Sequence, residues 1–232
     1  MMTREMIYLA GLVHDIGKFW QRGDNHLPSA SQVLEPSIKM LQDQICPLVN
    51  GKYTHEHLLW TAQFVSNHKH FYTHLLGPEQ FDAFWKTLTK VHRTKDEALP
   101  LILQKAIHLA AGNDLTIHSH AINITQSANG KLKPILAGLL SDKENAFEFP
   151  IVKLKLDESF FPKSKTSFSA SNEPLEYQSL WNEFDVAIKN LHQRHFPSVT
   201  IYAENLLFLL QRYTVTTPFD QAVLPDVSLF DH

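Results

Sequence analysis

The chain has 232 residues, 44% of them hydrophobic and 19% charged, an ordinary globular composition that is long enough to bury one sizeable core. Its formal net charge of −3 excludes a global field that gathers nucleic acid, so any such contact needs a local basic patch. The single cysteine, Cys46, excludes an internal disulfide and fits a reducing compartment, where it reads as a small core residue.

No apolar run approaches the roughly 18 residues of a membrane-spanning helix. Met1-Met2-Thr3-Arg4-Glu5 carries an acid early and precedes only a short apolar stretch, which is not a signal peptide. A cytoplasmic protein without membrane contact is expected. In chain order, residues 4–20 read as a helix, with Met6, Leu9, Ala10, Val13, Gly17 and Trp20 at helical spacing and Gly23-Asp24-Asn25 as its stop. Residues 33–48 read as a second helix, with Pro36 in its first turn and Pro47 closing it. Asn50-Gly51 is a turn. Thr54 is then expected to cap a helix to Asn67 whose Leu58, Leu59, Ala62 and Val65 face inward. The stretch 71–76 is undecided, Gly77-Pro78 is a break, and 79–89 is a helix with Phe81, Phe84, Trp85 and Leu88 as its apolar stripe. A further helix from Asp96 tolerates Pro100 in its first turn and ends at Gly112.

The second half changes character. Residues 116–131 are polar, 135–140 form a short apolar turn or helix, and 150–156 alternate apolar residues with lysine, as a half-buried strand does. Residues 162–172 read as exposed, 175–191 and 199–213 as amphipathic helices, and 214 onward as an extended tail. The fold class is mainly α: a helical bundle with a small strand or hairpin in the second half. It divides into a core over 1–115 that carries the site, a helical extension of the same domain over 116–222, and a connecting tail over 223–232.

The chemistry concentrates in Val13-His14-Asp15-Ile16-Gly17-Lys18. His14 and Asp15 can bind one metal, and Lys18, four and three residues later, shares their helix face. That set suits water attack on a phosphate, with the lysine holding an oxygen. Arg22 is a second phosphate contact on the same helix, Gln21 a polar neighbour, and Asp24 and His26 are candidates to line the cleft. His55, two residues before His57, is expected on another side and exposed. His68, His70 and His74 read as solvated, as do His118 and His120. Lys153, Lys155, Lys163 and Lys165 form the one basic cluster, a solvated edge.

His-Asp-Ile-Gly-Lys after an apolar helix resembles the defining motif of the HD-superfamily metal-dependent phosphohydrolases, helical domains whose histidines and aspartates hold one or two metals. Its position ahead of all other ligands resembles the permuted HD domain that opens the large subunit of type III CRISPR effector complexes of the Csm type. Tyr53-Thr54-His55-Glu56-His57-Leu58-Leu59-Trp60 is similar to that family's second-ligand helix, with His57 at the ligand position. Gln104-Lys105-Ala106-Ile107-His108-Leu109-Ala110-Ala111-Gly112 is similar to its Ala-Asp-x-Leu-Ser-Ser-Gly segment. Pro225-Asp226-Val227-Ser228-Leu229-Phe230 resembles the run into its first palm domain.

The resemblance implies metal ligands His14, Asp15, His57 and His92, catalytic roles for Asp15 and Lys18, and phosphate contacts from Lys18 and Arg22. The ion it implies is Mn²⁺ or Ni²⁺, which nitrogen-rich ligand sets favour over Mg²⁺. The implied substrate is single-stranded DNA, cleaved in antiviral defence. The implied partners are the other domains and subunits of the ribonucleoprotein, with guide and target RNA engaged indirectly.

Departures from the pattern leave alternatives open. Ile107 stands where the family has a ligand aspartate, and Ala110 and Ala111 replace two serines; Asn113 or Asp114 could substitute in a shifted register. An impaired or inactive HD domain that docks onto the complex is one alternative, and a stand-alone HD nucleotide phosphohydrolase another. The Gly-Gly-Asp-Asp motif of the family's nucleotide-messenger synthesis does not occur, so the chain is expected to be the N-terminal piece of a longer protein or a natural split subunit.

Overall fold

A computed structural model of the protein describes residues 4–93, 96–110, 130–135, 147–168, 172–220 and 224–231. The expectations for 136–140, for most of 116–131, and for Ala111, Gly112, Asn113, Asp114, His118 and His120 lie outside the described residues. The fold is mainly helical, with small antiparallel hairpins. The elements of the first half are α1 (Arg4–Val13), α2 (Ile16–Asp24), the single turns α3 (Pro36–Lys39) and α4 (Gln42–Ile45), the hairpin β1 (Leu48–Val49) and β2 (Lys52–Tyr53), α5 (His57–Asn67), α6 (Lys69–Leu76), α7 (Pro78–Lys90) and α8 (Ala98–Ala110). The later part adds β3 (Phe147–Glu148) paired with β4 (Lys163–Ser164), the long helices α9 (Glu173–His192) and α10 (Val199–Thr214), and a last hairpin, β5 (Pro218–Asp220) with β6 (Leu224–Ser228).

α5 is the central helix. Every residue from His57 to Val65 is buried, so it is enclosed on all sides, the signature of an interior helix rather than an amphipathic one. α2 lies across α5 on one side and against α9 on the other, while α1 packs on α7, α8 and α10. A single apolar cluster runs from Met6 and Leu9 through Trp60 and Phe64 to Phe184, Ile188 and Leu206. The late helices therefore share the core of the early ones. Trp181 stacks on Trp20 at 4.7 Å and meets Phe19 edge-on at 5.2 Å, which locks α2 to α9. No described helix is long and apolar enough to cross a membrane.

Several local expectations are corrected. The helix expected over 4–20 is broken at His14–Asp15 into α1 and α2. The helix expected over 33–48 is two single turns, because Pro36 opens the first and Cys46, extended at φ −89° and ψ 126°, ends the second. Thr54 does not cap α5: its hydroxyl donates to Pro47 O, and His55 adopts φ 56°, so the helix begins only at His57. The lysine-alternating stretch 150–156 joins no sheet; Leu154 N–H donates to Arg212 O, Ile151 is buried, and Leu156 is fully exposed. The hairpin forms instead from residues flanking it, Phe147–Glu148 and Lys163–Ser164. The Asn50-Gly51 turn is as expected, with both residues at positive φ (51° and 74°), as a two-residue hairpin turn requires.

Candidate active site

The break between α1 and α2 presents the site. His14 Nδ1 lies 2.6 Å from Gly11 O, so the imidazole takes a carbonyl that a continuing helix would have bonded with its own backbone. The next backbone groups left over are His14 C=O and Gly17 N–H. Both are satisfied by one side chain from α5: Gly17 N–H donates to Thr61 Oγ1 at 3.1 Å, and the Thr61 hydroxyl donates to His14 O at 2.9 Å. Lys18 N–H closes a tight turn onto Asp15 O at 2.9 Å. Gly17 permits the approach, since a Cβ there would lie 2.0 Å from His57 O and 2.6 Å from Thr61 Oγ1.

These contacts bring four of the expected residues together. Asp15 Oδ2 sits 3.2 Å from His14 Nε2 and 2.8 Å from Lys18 Nζ, and Asp15 Oδ1 sits 3.2 Å from His57 Nε2. His14, Asp15 and His57 are all buried, whereas Lys18 is half-buried. Burial of Asp15 opposes its charge, but the neighbouring His14 and Lys18 charges and the imidazole contacts outweigh it and hold the carboxyl well below the usual carboxylate range. Burial pushes His57 down, with Asp15 opposing the shift, so its imidazole favours the neutral, ligating form.

His92, the fourth expected ligand, is one ring removed. It stacks on His55 at 3.9 Å and meets His57 edge-on at 6.5 Å. The placement of His55 is a correction: it is partly buried within this histidine group, because the left-handed backbone at 55 turns its ring toward His92. Burial, with the His57 charge adding to it, depresses His55 to about 3; burial and the His55 charge depress His92 to about 2. His108 is close enough for its charge to act on His55. Ile107 packs partly against the core.

Arg22 is a second correction. It is 4% exposed, its guanidinium donates to Pro218 O at 2.7 Å and to Lys18 O at 3.4 Å, and it lies over the Tyr177 ring, so it holds the last hairpin rather than a phosphate. Asp24 is likewise structural, accepting from Ser31 Oγ at 2.5 Å and from Trp60 Nε1 at 3.0 Å; His26 is exposed. His70 and His74 are exposed as expected, but His68 is buried, with Nδ1 3.1 Å from His192 Nδ1. The last hairpin also reaches the site. The Phe219 ring lies 3.7 Å from Lys18 Nζ, and Leu229, Phe230 and Asp231 wall a cavity of about 190 Å³ whose opposite side is Gly11, His14 and Asp15.

As the side chains stand, no group of three or more His, Cys, Asp or Glu among the described residues forms a ready metal cage. The donor set nevertheless fits one ion in its chemistry. Two imidazole nitrogens converge on one carboxylate, each 3.2 Å from one of its oxygens, and donors on one ion at about 2.1 Å lie roughly 3.0–3.5 Å from each other. His57 Nε2 is buried and faces Asp15 Oδ1 at 3.2 Å. Thr61, which sequence reasoning missed, had one available signal: it lies four residues after His57, on the same helix face. Compared with known proteins, the chain matches no family model, no curated protein and no solved structure.

Proposed function

We propose that the chain is an HD-type phosphohydrolase domain of the kind that opens the large subunit of type III CRISPR effector complexes, and that it cleaves phosphodiesters of single-stranded DNA with a divalent transition ion. The observation that carries this reading is the convergence of His14 and His57, from separate helices, on the two oxygens of Asp15, with Lys18 on the same carboxylate. His14, Asp15 and His57, with His92 behind them, would hold Mn²⁺ or Ni²⁺. When bound, such an ion acidifies a water and polarises the phosphodiester. Lys18 is the one cation of the group with partial exposure, and it stabilises the negative charge that develops on the phosphoryl oxygens. Neutral His57 and ionised Asp15 need no proton rearrangement at neutral pH to serve as ligands.

A second reading is a docking module without catalysis in the same complex. It is favoured by Ile107 at the position of a ligand aspartate and by the commitment of Arg22 to the hairpin. One pair of measurements separates the two. The purified protein supplemented with Mn²⁺ or Ni²⁺ is expected to retain metal by elemental analysis and to degrade single-stranded DNA, with both properties falling to background in His14→Ala and Asp15→Ala. Failure to retain metal sinks the hydrolase reading, and cleavage that survives both substitutions places the activity elsewhere.

A further inference from the structure

We infer that Thr61 is a positioning residue for the His14–Asp15 pair: its hydroxyl holds the break between α1 and α2 open and so sets where both side chains stand. The inference deepens the hydrolase reading and rests on it for its consequence in metal binding, while the brace itself is a property of the metal-free protein.

A helix broken in its interior must find partners for the backbone groups it releases, or bear a cost of about 1–3 kcal/mol for each one buried. Here Gly17 N–H would have bonded Val13 O and His14 O would have received Lys18 N–H in a continuous helix. Both are diverted. Lys18 N–H turns back to Asp15 O, and the Thr61 hydroxyl accepts from Gly17 and donates to His14 in one step, at 3.1 and 2.9 Å.

Thr61 is 1% exposed, so water does not replace it. The hydroxyl needs both capacities at once, donor and acceptor, and only a hydroxyl on this face of α5 supplies them in so small a volume. The missing Cβ of Gly17 is the matching half of the device, because it admits Thr61 Oγ1 and Thr61 N to within 2.6 and 2.7 Å of where that Cβ would stand. With the break held, His14 is free to turn its Nδ1 to Gly11 O and its Nε2 to Asp15, and Asp15 faces His57 across the helix pair. Thr61 touches none of the reacting atoms; it acts through the two residues that do.

The test uses Thr61→Val, which keeps the shape and removes the hydroxyl, and Thr61→Ser, which restores it. In metal-free protein, the Gly17 amide should exchange slowly in wild type and Thr61→Ser, and markedly faster in Thr61→Val. Mn²⁺ affinity by calorimetry should fall by about 10-fold or more in Thr61→Val and by less than about 3-fold in Thr61→Ser, the range expected for a residue that orients ligands. Unchanged Gly17 exchange together with unchanged Mn²⁺ affinity in Thr61→Val overturns the inference. If Thr61→Val does not fold, hydrogen exchange on wild type decides: the Gly17 amide, at a helix position that normally lacks an intrahelical partner, should exchange as slowly as core α5 amides, and fast exchange there refutes the brace. A wild-type protein that binds no Mn²⁺ counts against the hydrolase reading alone, since the exchange signature judges the brace without metal.

Discussion

Gly17→Ala is expected to lower the melting temperature by about 6–12 °C and to abolish any activity of the site. Alanine in a helix is ordinarily the better residue by about 0.5–1 kcal/mol, so the sign of the effect is itself the test. The added Cβ would meet the backbone oxygen of His57 at 2.0 Å, a contact that no rotamer change relieves. α2 must then back away from α5, and it is held on its far side by Trp181 and Phe184 of α9, so the strain spreads through the core. Overpacking of this kind costs about 3 kcal/mol, and a protein of this size loses roughly 2–4 °C for each kcal/mol. Gly11→Ala is the internal control. A Cβ there meets only Leu103 Cδ1 at 4.0 Å, so that variant should gain about 0.4–1 kcal/mol by restricting the unfolded chain. Thermal melts of the two variants, one falling and one rising, check both halves. Equal melting temperatures would contradict the tight α2–α5 approach.

Stability is expected to hold above pH 6.5 and to fall steadily between pH 6.5 and 4, through histidines distant from the site. His68 and His192 face each other at 3.1 Å, His192 Nε2 lies 2.8 Å from Tyr202 Oη, and Tyr202 Oη lies 3.2 Å from Tyr72 Oη. This chain ties α6 to α9 and α10 inside the protein, with Phe71 stacked on His192 at 3.9 Å. Burial depresses His68 to about 4, with Asp185 opposing the shift and Lys189 adding to it. Burial, then the His68 charge, depresses His192 to about 3. Their ordinary value is 6.5, so below that pH the unfolded chain takes up protons that the folded one refuses. By pH 5 each group removes about 2 kcal/mol of stability. Urea unfolding at pH 7.5 and at pH 5 measures the difference, and His192→Phe, which keeps the stack on Phe71, should flatten that slope. His55, His57 and His92 are shifted in the same direction, so part of the acid loss should persist in that variant. A slope unchanged by His192→Phe would remove the pair from the account.

Much of the fold was legible because long helices announce themselves by spacing. The stripes of α7, α9 and α10 and the hydrophobic run of α5 appear where periodicity puts them, and the Asn50-Gly51 turn follows from backbone sterics. The break at His14–Asp15 was not legible, because nothing local forbids a helix there. It depends on a hydroxyl 47 residues away and on an imidazole that competes for its own helix's carbonyl. Arg22 was misread for a similar reason. An arginine one turn past Lys18 looks available until Pro218 returns to accept from it. His55 was misplaced because a left-handed residue ahead of α5 changes the direction of its ring, and no residue type there signals that conformation. The alternation over 150–156 has strand periodicity but no partner strand, and a period of two carries structure only when a ladder exists to use it.

The return of the last hairpin onto the first helices has a consequence for the order of assembly. α1 finds its packing face on α10 and α2 finds one on α9, and the Arg22–Pro218 bond joins residues 196 apart. A chain emerging from the ribosome can pack α2 on α5 and α1 on α7 and α8 early, but the faces that meet α9 and α10 stay open until those helices are made. The entropy of closing so long a loop must be met before these contacts stabilise anything, which slows folding and delays it toward the end of synthesis. The His-Asp motif is made early, yet the core around Phe19 is completed only when Trp181 and Phe184 of α9 arrive, which leaves that apolar surface exposed to misassociation through much of elongation.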